Sequence, residues 1–111
     1  MSNNTVSCGD DGVFINDVKR ANITGLIIEY AGDYGVYAPE CDLSIDNTTI
    51  KNCGKDAIHF YKGKSLILRD SIIESCGGGL IYDNYAYRNA IIERNIIRNN
   101  TGSGIDIYLY A

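Results

Sequence analysis

The feature that most limits how this chain can fold is an internal repeat of 22 to 24 residues. Residues 8–111 of the 111-residue chain divide into four full units and one partial unit: CGDDGVFINDVKRANITGLIIEY, AGDYGVYAPECDLSIDNTTIKN, CGKDAIHFYKGKSLILRDSIIES, CGGGLIYDNYAYRNAIIERNIIRN and NTGSGIDIYLYA. The same residue types recur at equivalent positions of these units. Three columns are apolar and one is small: Val13, Val36, Ile58, Leu80 and Ile105; Ile23, Ile45, Leu68 and Ile92; Ile28, Ile50, Ile73 and Ile97; Cys8, Ala31, Cys53, Cys76 and Asn100. Columns of this kind indicate a solenoid in which each unit forms one layer.

The residues within each unit favour short strands. Ile and Tyr are abundant, and Gly, Asn and Asp separate the apolar segments. Apolar residues alternate with outward ones, as in Val13, Phe14 and Ile15, and no segment keeps a helical period. A leucine-rich repeat would require Leu at fixed short spacings followed by a helix, which these units lack. We therefore predict an all-β fold, a single-stranded parallel β-helix of about four to five coils with 22 to 24 residues per coil.

Columns of charged residues test the register of these coils. The predicted single domain covers residues 1–111, with residues 1–7 as a lead-in and coils starting near residues 8, 31, 53, 76 and 100. Beside the apolar ladders, two columns read Glu29, Lys51, Glu74 and Arg98, and Thr24, Asp46, Arg69 and Glu93. Stacked strands place equivalent side chains about 4.8 Å apart, so an alternation of sign is favourable only in the correct register.

Two motifs carry a resemblance to a known family. The motif I-x-N-C-G occurs at residues 50–54, and N-x-I-x-x-N occurs at residues 95–100. This texture, over residues 8 to 110, resembles the right-handed parallel β-helix repeats of the pectate-lyase-like superfamily, and more narrowly those shared by carbohydrate-binding proteins and sugar hydrolases. The resemblance implies a right-handed coil and a polysaccharide or oligosaccharide partner. Members of the superfamily include lyases, hydrolases, uronan epimerases, phage tail spikes and surface proteins.

Composition narrows the choice of partners. The net charge of −4 and the pI near 4.7 disfavour a nucleic-acid partner. No apolar run approaches the length of a membrane span, and MSNNTVSCGDDG lacks the basic and apolar regions of a signal peptide, so the compartment stays undetermined. Cys8, Cys53 and Cys76 are predicted to be stacked structural thiols, and Cys41 a core or turn residue. We expect no metal ion and no cofactor.

The only histidine of the chain belongs to a predicted outer wall. In the strand that contains Ile58 and Phe60, alternation points His59 and Tyr61 outward. The columns above and below add further aromatic and acidic residues to the same face. The candidate residues of this wall are Tyr37, His59, Tyr61, Asp83, Asp106 and Tyr108. Aromatic faces stack on sugar rings, and carboxylates, His and Tyr can exchange protons with a uronate or a glycosidic oxygen.

Two interpretations of this wall stay open. As a binding surface, Tyr37, His59, Tyr61 and Tyr108 would stack on sugars while Asp83 and Asp106 would hold their hydroxyl groups. As a lyase- or epimerase-like site, His59 or Tyr61 would act as base and Asp83 as acid. Against catalysis, no aspartate triplet is present and no Lys or Arg is expected on this wall, and Asp56 is expected in the preceding turn. Asp83 and Asp106 on successive coils are expected about 5 Å apart, a separation that suits a retaining hydrolase.

A third interpretation is a structural solenoid that associates with itself, or a fragment of a longer tail-spike or surface protein. Alternation places one apolar stripe outside the coil on one sheet and a shorter one on another: Ile27, Ile72 and Ile96, then Ile67 and Ile91. A strand bend that turns these side chains inward is the alternative. The segment GIDIYLYA also ends on an apolar strand without a capping element. Both features predict a homo-oligomer, formed through the stripe or through the uncapped C-terminal end.

Overall fold

The fold consists of short strands joined by tight turns. The computed structural model describes the backbone of residues 5–7, 10–16, 18–63, 65–85 and 89–110, and the side chains of these residues except 5–7, 81–85 and 107–110. The strands are β1 (Thr5–Ser7), β2 (Val13–Phe14), β3 (Arg20–Thr24), β4 (Ile27–Glu29), β5 (Val36–Pro39), β6 (Asp42–Asp46), β7 (Thr49–Lys51), β8 (Asp56–Tyr61), β9 (Ser65–Arg69), β10 (Ile72–Glu74), β11 (Gly78–Tyr85), β12 (Asn89–Glu93), β13 (Ile96–Arg98) and β14 (Ile105–Tyr110). Over these described ranges the chain forms no helix, and hence none that could cross a membrane.

The strands stack into three parallel sheets. Sheet I contains β1, β4, β7, β10 and β13, sheet II contains β2, β5, β8, β11 and β14, and sheet III contains β3, β6, β9 and β12. Each strand pairs in parallel with the strand one coil before and one coil after it. The chain therefore winds as a β-solenoid of about four coils, and the predicted all-β parallel coil is confirmed.

The register agrees with the columns read from the sequence. In sheet I, Ile28 pairs with Ile50, Ile50 with Ile73, and Ile73 with Ile97. The charged column beside it pairs in the same way, with ion pairs of 3.7 Å between Lys51 and Glu29 and 2.9 Å between Arg98 and Glu74. In the second charged column, Arg69 lies 3.6 Å from Glu93. The alternation of charge thus follows the coil as predicted.

The core is a continuous stack of aliphatic side chains between the three sheets. Val36, Ile45, Ile50 and Leu68 are fully buried, and Phe60 is the largest of the fully buried side chains that the structure describes. Burial of these columns supplies most of the favourable free energy, because each coil alone has no second layer to pack against.

The cysteines contribute small side chains to this core. Cys41, Cys53 and Cys76 are buried free thiols, while Cys8 lies outside the described residues. The Cys53 and Cys76 thiols lie on neighbouring coils and form a hydrogen bond, which together with burial raises the pKa of Cys53. Cys53 and Cys76 are thus adjacent buried thiols, and their structural role stays a prediction.

Candidate functional site

The outer face of sheet II carries the residues that the sequence singled out. Tyr37 pairs with His59 and Pro39 with Tyr61 between β5 and β8. Ala38 and Phe60 are fully buried, whereas Tyr37, His59 and Tyr61 are half-buried, so alternation turns these three rings outward. The wall predicted from the sequence is therefore a real face of the coil.

The rings on this face form one contiguous cluster. Phe14 stacks on Tyr37 with centroids 5.5 Å apart and an interplanar angle of 26°. His59 lies 5.1 Å from Tyr37 and 6.0 Å from Tyr61. Phe14 is 56 % exposed, and the other rings keep part of their surface open to solvent. We call these residues, with Tyr34 described next, the aromatic wall: Phe14, Tyr34, Tyr37, His59 and Tyr61.

Tyr34 was not predicted from the sequence. It lies in the turn before β5, where its backbone N–H donates a hydrogen bond of 3.1 Å to the Asp11 carboxylate. Its ring packs 5.5 Å from Tyr37 and 4.8 Å, edge to face, from His59. The alternation of side chains along a strand does not predict where a side chain in a turn points. The only signal in the sequence was the presence of an aromatic residue in the turn AGDYG.

Two lysines border the wall, which corrects the expectation that it carries no cation. The Lys62 Nζ lies 5.0 Å from the centroid of Tyr61, and the Lys55 Nζ lies 5.6 Å from that of Tyr34. Lys55 also forms an ion pair of 3.5 Å with Asp33. Both lysines lie in turns next to β8, whereas the prediction considered only outward positions within strands. The wall is therefore flanked by positive charge on two sides.

The predicted place of Asp56 was wrong. It is the first residue of β8 rather than part of the preceding turn. Asp56 and His59 are half-buried, whereas Ala57 and Ile58 between them are buried. Burial raises the pKa of Asp56, the nearby imidazole of His59 lowers this pKa, and the carboxylate of Asp106 raises it further. The carboxyl of Asp56 therefore has a raised pKa and senses the charge of both His59 and Asp106.

The remaining predicted residues belong to the next two coils of sheet II. Asp83 pairs with Tyr61 on one side and Tyr108 on the other, while the half-buried Asp106 pairs with Ile81. Asp83 and Asp106 are therefore diagonal neighbours, and the expected stacking at about 5 Å is wrong: such diagonal positions lie about 7–8 Å apart. The side chains of Asp83 and Tyr108 lie outside the described residues, so their roles stay predictions.

The predicted apolar stripe faces outward on two sheets. On sheet I, Ile27 pairs with Thr49, and Ile72 pairs with Thr49 and Ile96. Ile27 and Ile96 are 41 % and 48 % exposed, and Ile72 is half-buried. On sheet III, the half-buried Ile67 pairs with Ile91, which is 47 % exposed. No strand bend turns these residues into the core, and whether they form an interface stays a prediction.

A groove lies at the corner where sheet II turns into sheet III. It consists of three adjoining cavities of about 280, 350 and 190 Å³, which share Lys19 and Glu40, then Arg20 and Asp42, as lining residues. One end begins at Asn16 and Pro39 beside the aromatic wall. The other end reaches the outer face of sheet III, where it is lined by Asn22, Leu43, Ser44, Ser65 and Ile67. We call this the corner groove; sequence reasoning did not find it.

The side chains that the structure describes do not form a metal centre. No group of three or more His, Cys, Asp or Glu within the described ranges is arranged to hold an ion. The wall offers ring faces for stacking and the Tyr61 hydroxyl and nearby carboxylates for hydrogen bonding and proton exchange, whereas both ring nitrogens of His59 are shielded from solvent.

The stacked parallel strands define a β-solenoid, and comparison with protein families gives its class more closely. A family described as "Right handed beta helix region" matches residues 1–110. The chain belongs to this right-handed β-helix family, and the predicted handedness is confirmed. Searches of curated proteins and of solved structures returned no match.

Proposed function

We propose that this protein is a carbohydrate-binding β-helix and that the aromatic wall is its binding surface. The observation that carries the proposal is the continuous ring cluster, in which neighbouring centroids lie 4.8 to 6.0 Å apart across three successive coils. The faces of sugar rings carry C–H groups that pack on aromatic rings, and their edges carry hydroxyl groups that need hydrogen-bond partners. A row of rings with a polar border meets both needs.

The border of the wall matches the polar edge of a sugar. Lys55 and Lys62 can donate to hydroxyl or carboxylate oxygens, and Asp56 and Asp106 can accept from hydroxyl groups. The Tyr34, Tyr37 and Tyr61 hydroxyls can do both. Lys55 is paired with Asp33, so Lys62 beside Tyr61 is the cation of this border best placed to meet the carboxylate of a sugar acid.

The experiment is a binding measurement with single-ring deletions. Wild-type protein is titrated by calorimetry with cellulose, mannan, xylan, polygalacturonate and alginate fragments. Each of Tyr37→Ala and Tyr61→Ala is expected to raise the Kd roughly two- to tenfold, since one aromatic stack contributes about 0.5–1.5 kcal/mol. Tyr30→Ala is the matched control, because Tyr30 is 62 % exposed but lies at the end of β4 on sheet I.

Two results would count against the proposal. One is that wild-type protein binds none of these fragments. The other is that Tyr37→Ala and Tyr61→Ala bind as tightly as the wild type, which would place the ligand elsewhere on the coil. A binding module without catalysis keeps binding after His59→Ala and leaves the fragments intact.

A lyase- or epimerase-like activity on uronans is the second candidate. The observation that favours it is the pair His59 and Tyr61, whose ring centroids lie 6.0 Å apart, with the Lys62 Nζ 5.0 Å from the Tyr61 ring, where it can neutralise a uronate carboxylate. In this candidate His59 or Tyr61 takes the proton and Asp83 supplies one. An unsaturated product that absorbs in the ultraviolet, formed from polygalacturonate or alginate and abolished by His59→Ala, would support the lyase.

A further inference from the structure

The corner groove continues the aromatic wall in the direction of the strands. β5 carries Tyr37 on the wall and ends at Pro39, which lines the first cavity of the groove. Glu40 and Asp42 follow within three residues and line the next two cavities. The chain from Tyr37 to Asp42 spans at most about 18 Å. Wall and groove are therefore one continuous surface across a corner of the coil.

The groove has the chemistry of a sugar site without stacking rings. Two cations of one coil, Lys19 and Arg20, line the groove together with two acidic residues of the next coil, Glu40 and Asp42. A carboxylate accepts from two neighbouring hydroxyl groups, and a guanidinium donates to two neighbouring oxygens, so such pairs match vicinal diols. The far end adds the Asn22 amide and the Ser44 hydroxyl.

The backbone at Glu40 and Asp42, and the carboxylate of Asp42, are held by hydrogen bonds between coils. The backbone N–H of Ser65 donates to the Asp42 carboxylate at 3.1 Å, and the Asp42 N–H donates to the Lys19 carbonyl oxygen at 2.8 Å. The Glu40 N–H donates to the Tyr61 carbonyl oxygen at 2.7 Å. Each contact joins successive coils, so the floor is preorganised and a ligand would not have to order it.

We infer that the carbohydrate path leaves the wall at Pro39, turns the corner and ends in the groove between Arg20 and Asp42. The ligand is then an oligosaccharide lying along the strands and across the coil axis, with at least one terminal sugar held by polar groups alone. This inference rests on the proposed function, because it extends the same site. Longer oligosaccharides should therefore bind more tightly than short ones, and Lys19, Arg20 and Asn22 are the residues that would cause this difference.

A length series tests the inference. Galacturonate and cellulose oligomers of one to six units are titrated against wild type, Arg20→Ala, Lys19→Ala and Tyr37→Ala, with Lys51→Ala on sheet I as the matched control. Wild-type affinity is expected to rise with length, and Arg20→Ala and Lys19→Ala are expected to weaken the hexamer roughly five- to tenfold and leave the dimer unchanged. Tyr37→Ala weakens every length. Equal melting temperatures verify that the exposed Lys19 and Arg20 variants fold.

A second measurement does not depend on variants. In backbone NMR spectra, the hexamer is expected to shift the amides of Arg20, Asn22 and Ser44 in addition to those of the wall, and the dimer only those of the wall. Hexamer binding that leaves Arg20, Asn22 and Ser44 unshifted, or that is unaffected by Arg20→Ala, overturns the corner path but not the binding function. Wild-type protein that binds no oligomer of either series overturns both.

Discussion

Among single residues, Asp56 couples the stability of the wall to pH. Its pKa is raised chiefly by burial, and the attraction of His59 offsets this only in part. Between the pKa of the unfolded chain, about 3.9, and the higher folded pKa, the native state keeps the proton that the unfolded state has lost. Stability therefore falls as pH rises through this window, and the loss is complete above the folded pKa.

Replacement of Asp56 by Asn should reverse this effect. Asp56→Asn is expected to raise the melting temperature at neutral pH, because the amide carries no charge to desolvate. The advantage over wild type should shrink as pH is lowered and vanish below the unfolded pKa. Thermal unfolding followed by circular dichroism from about pH 7 to about pH 3 checks the prediction.

Asp70 supplies a control of opposite sign. Its pKa is lowered by hydrogen bonds from the Arg94 guanidinium at 2.7 and 3.2 Å. The stabilisation of the folded state by ionised Asp70 is therefore present above the pKa that Asp70 has in the unfolded chain. It is lost as pH falls through the lower pKa of Asp70 in the folded protein. Asp70→Asn should lower the melting temperature at neutral pH and approach wild type in acid. Parallel pH profiles for the two variants would contradict the assignment of Asp56.

The turn residues show what residue types alone could predict. The corners contain residues at positive φ, and Gly25, Asn47, Asn52 and Asn99 are of the types that favour this conformation. The composition predicted tight turns on this basis. Tyr30, with φ of 59°, carries no such signal, because the stacked coil imposes its conformation. Tyr34 and the two wall lysines were missed for a related reason: side-chain directions in turns depend on neighbouring coils.

At the scale of elements, a ladder of polar side chains joins the coils inside the corner between sheets III and I. The Thr48 N–H donates to the Ser71 Oγ at 3.2 Å, and the Ser71 N–H donates to the Asn95 Oδ1 at 3.0 Å. The Ser71 hydroxyl in turn donates to the Arg69 carbonyl oxygen at 2.8 Å. Thr48 and Ser71 are buried, so each hydroxyl satisfies backbone groups that water cannot reach.

Removal of one hydroxyl should break this ladder. Ser71→Ala leaves the buried Thr48 N–H and Arg69 carbonyl without the Ser71 hydroxyl, and is expected to lower the free energy of unfolding by about 1–3 kcal/mol. Ser71→Thr keeps the hydroxyl and adds a methyl group that Thr48 already accommodates one coil below, so its effect should be much smaller. Urea unfolding measures both. If both variants lost the same free energy of unfolding, packing around residue 71 and not its hydrogen bond would be the cause of the loss.

The register of the elements could be predicted from the sequence because many columns had to agree at once. A shift of one residue in any strand would have scrambled the alternation of Glu29, Lys51, Glu74 and Arg98. Exposed ion pairs add little stability, so their value here lies in specifying the register. The predicted separation of about 5 Å between Asp83 and Asp106 was wrong. It assumed that two residues on successive coils also occupy the same column. The register offsets them by two residues.

At the scale of the whole molecule, we predict that the outer face of sheet I meets a second copy of the chain. The exposed Ile27 and Ile96, with Ile72 between them, run beside the charged column Glu29, Lys51, Glu74 and Arg98. A two-fold axis parallel to the strands would reverse the order of the coils and keep each column opposite itself. Glu29 would then face Arg98 of the second copy, and Lys51 would face Glu74. In this arrangement each charged residue of the column faces a residue of opposite charge in the second copy.

This geometry predicts a dimer that dissociates when the stripe is charged. Sedimentation velocity of the wild type is expected to show a dimer, and Ile72→Lys combined with Ile96→Lys is expected to give a monomer, since two buried ammonium groups would lose their hydration. Raised salt should weaken the wild-type dimer through the screened charge column. Ile91→Lys is the matched control on sheet III and should leave the dimer intact. A dimer that survives the double variant but dissociates with Ile91→Lys would move the interface to sheet III, and a wild-type monomer would refute self-association through either stripe.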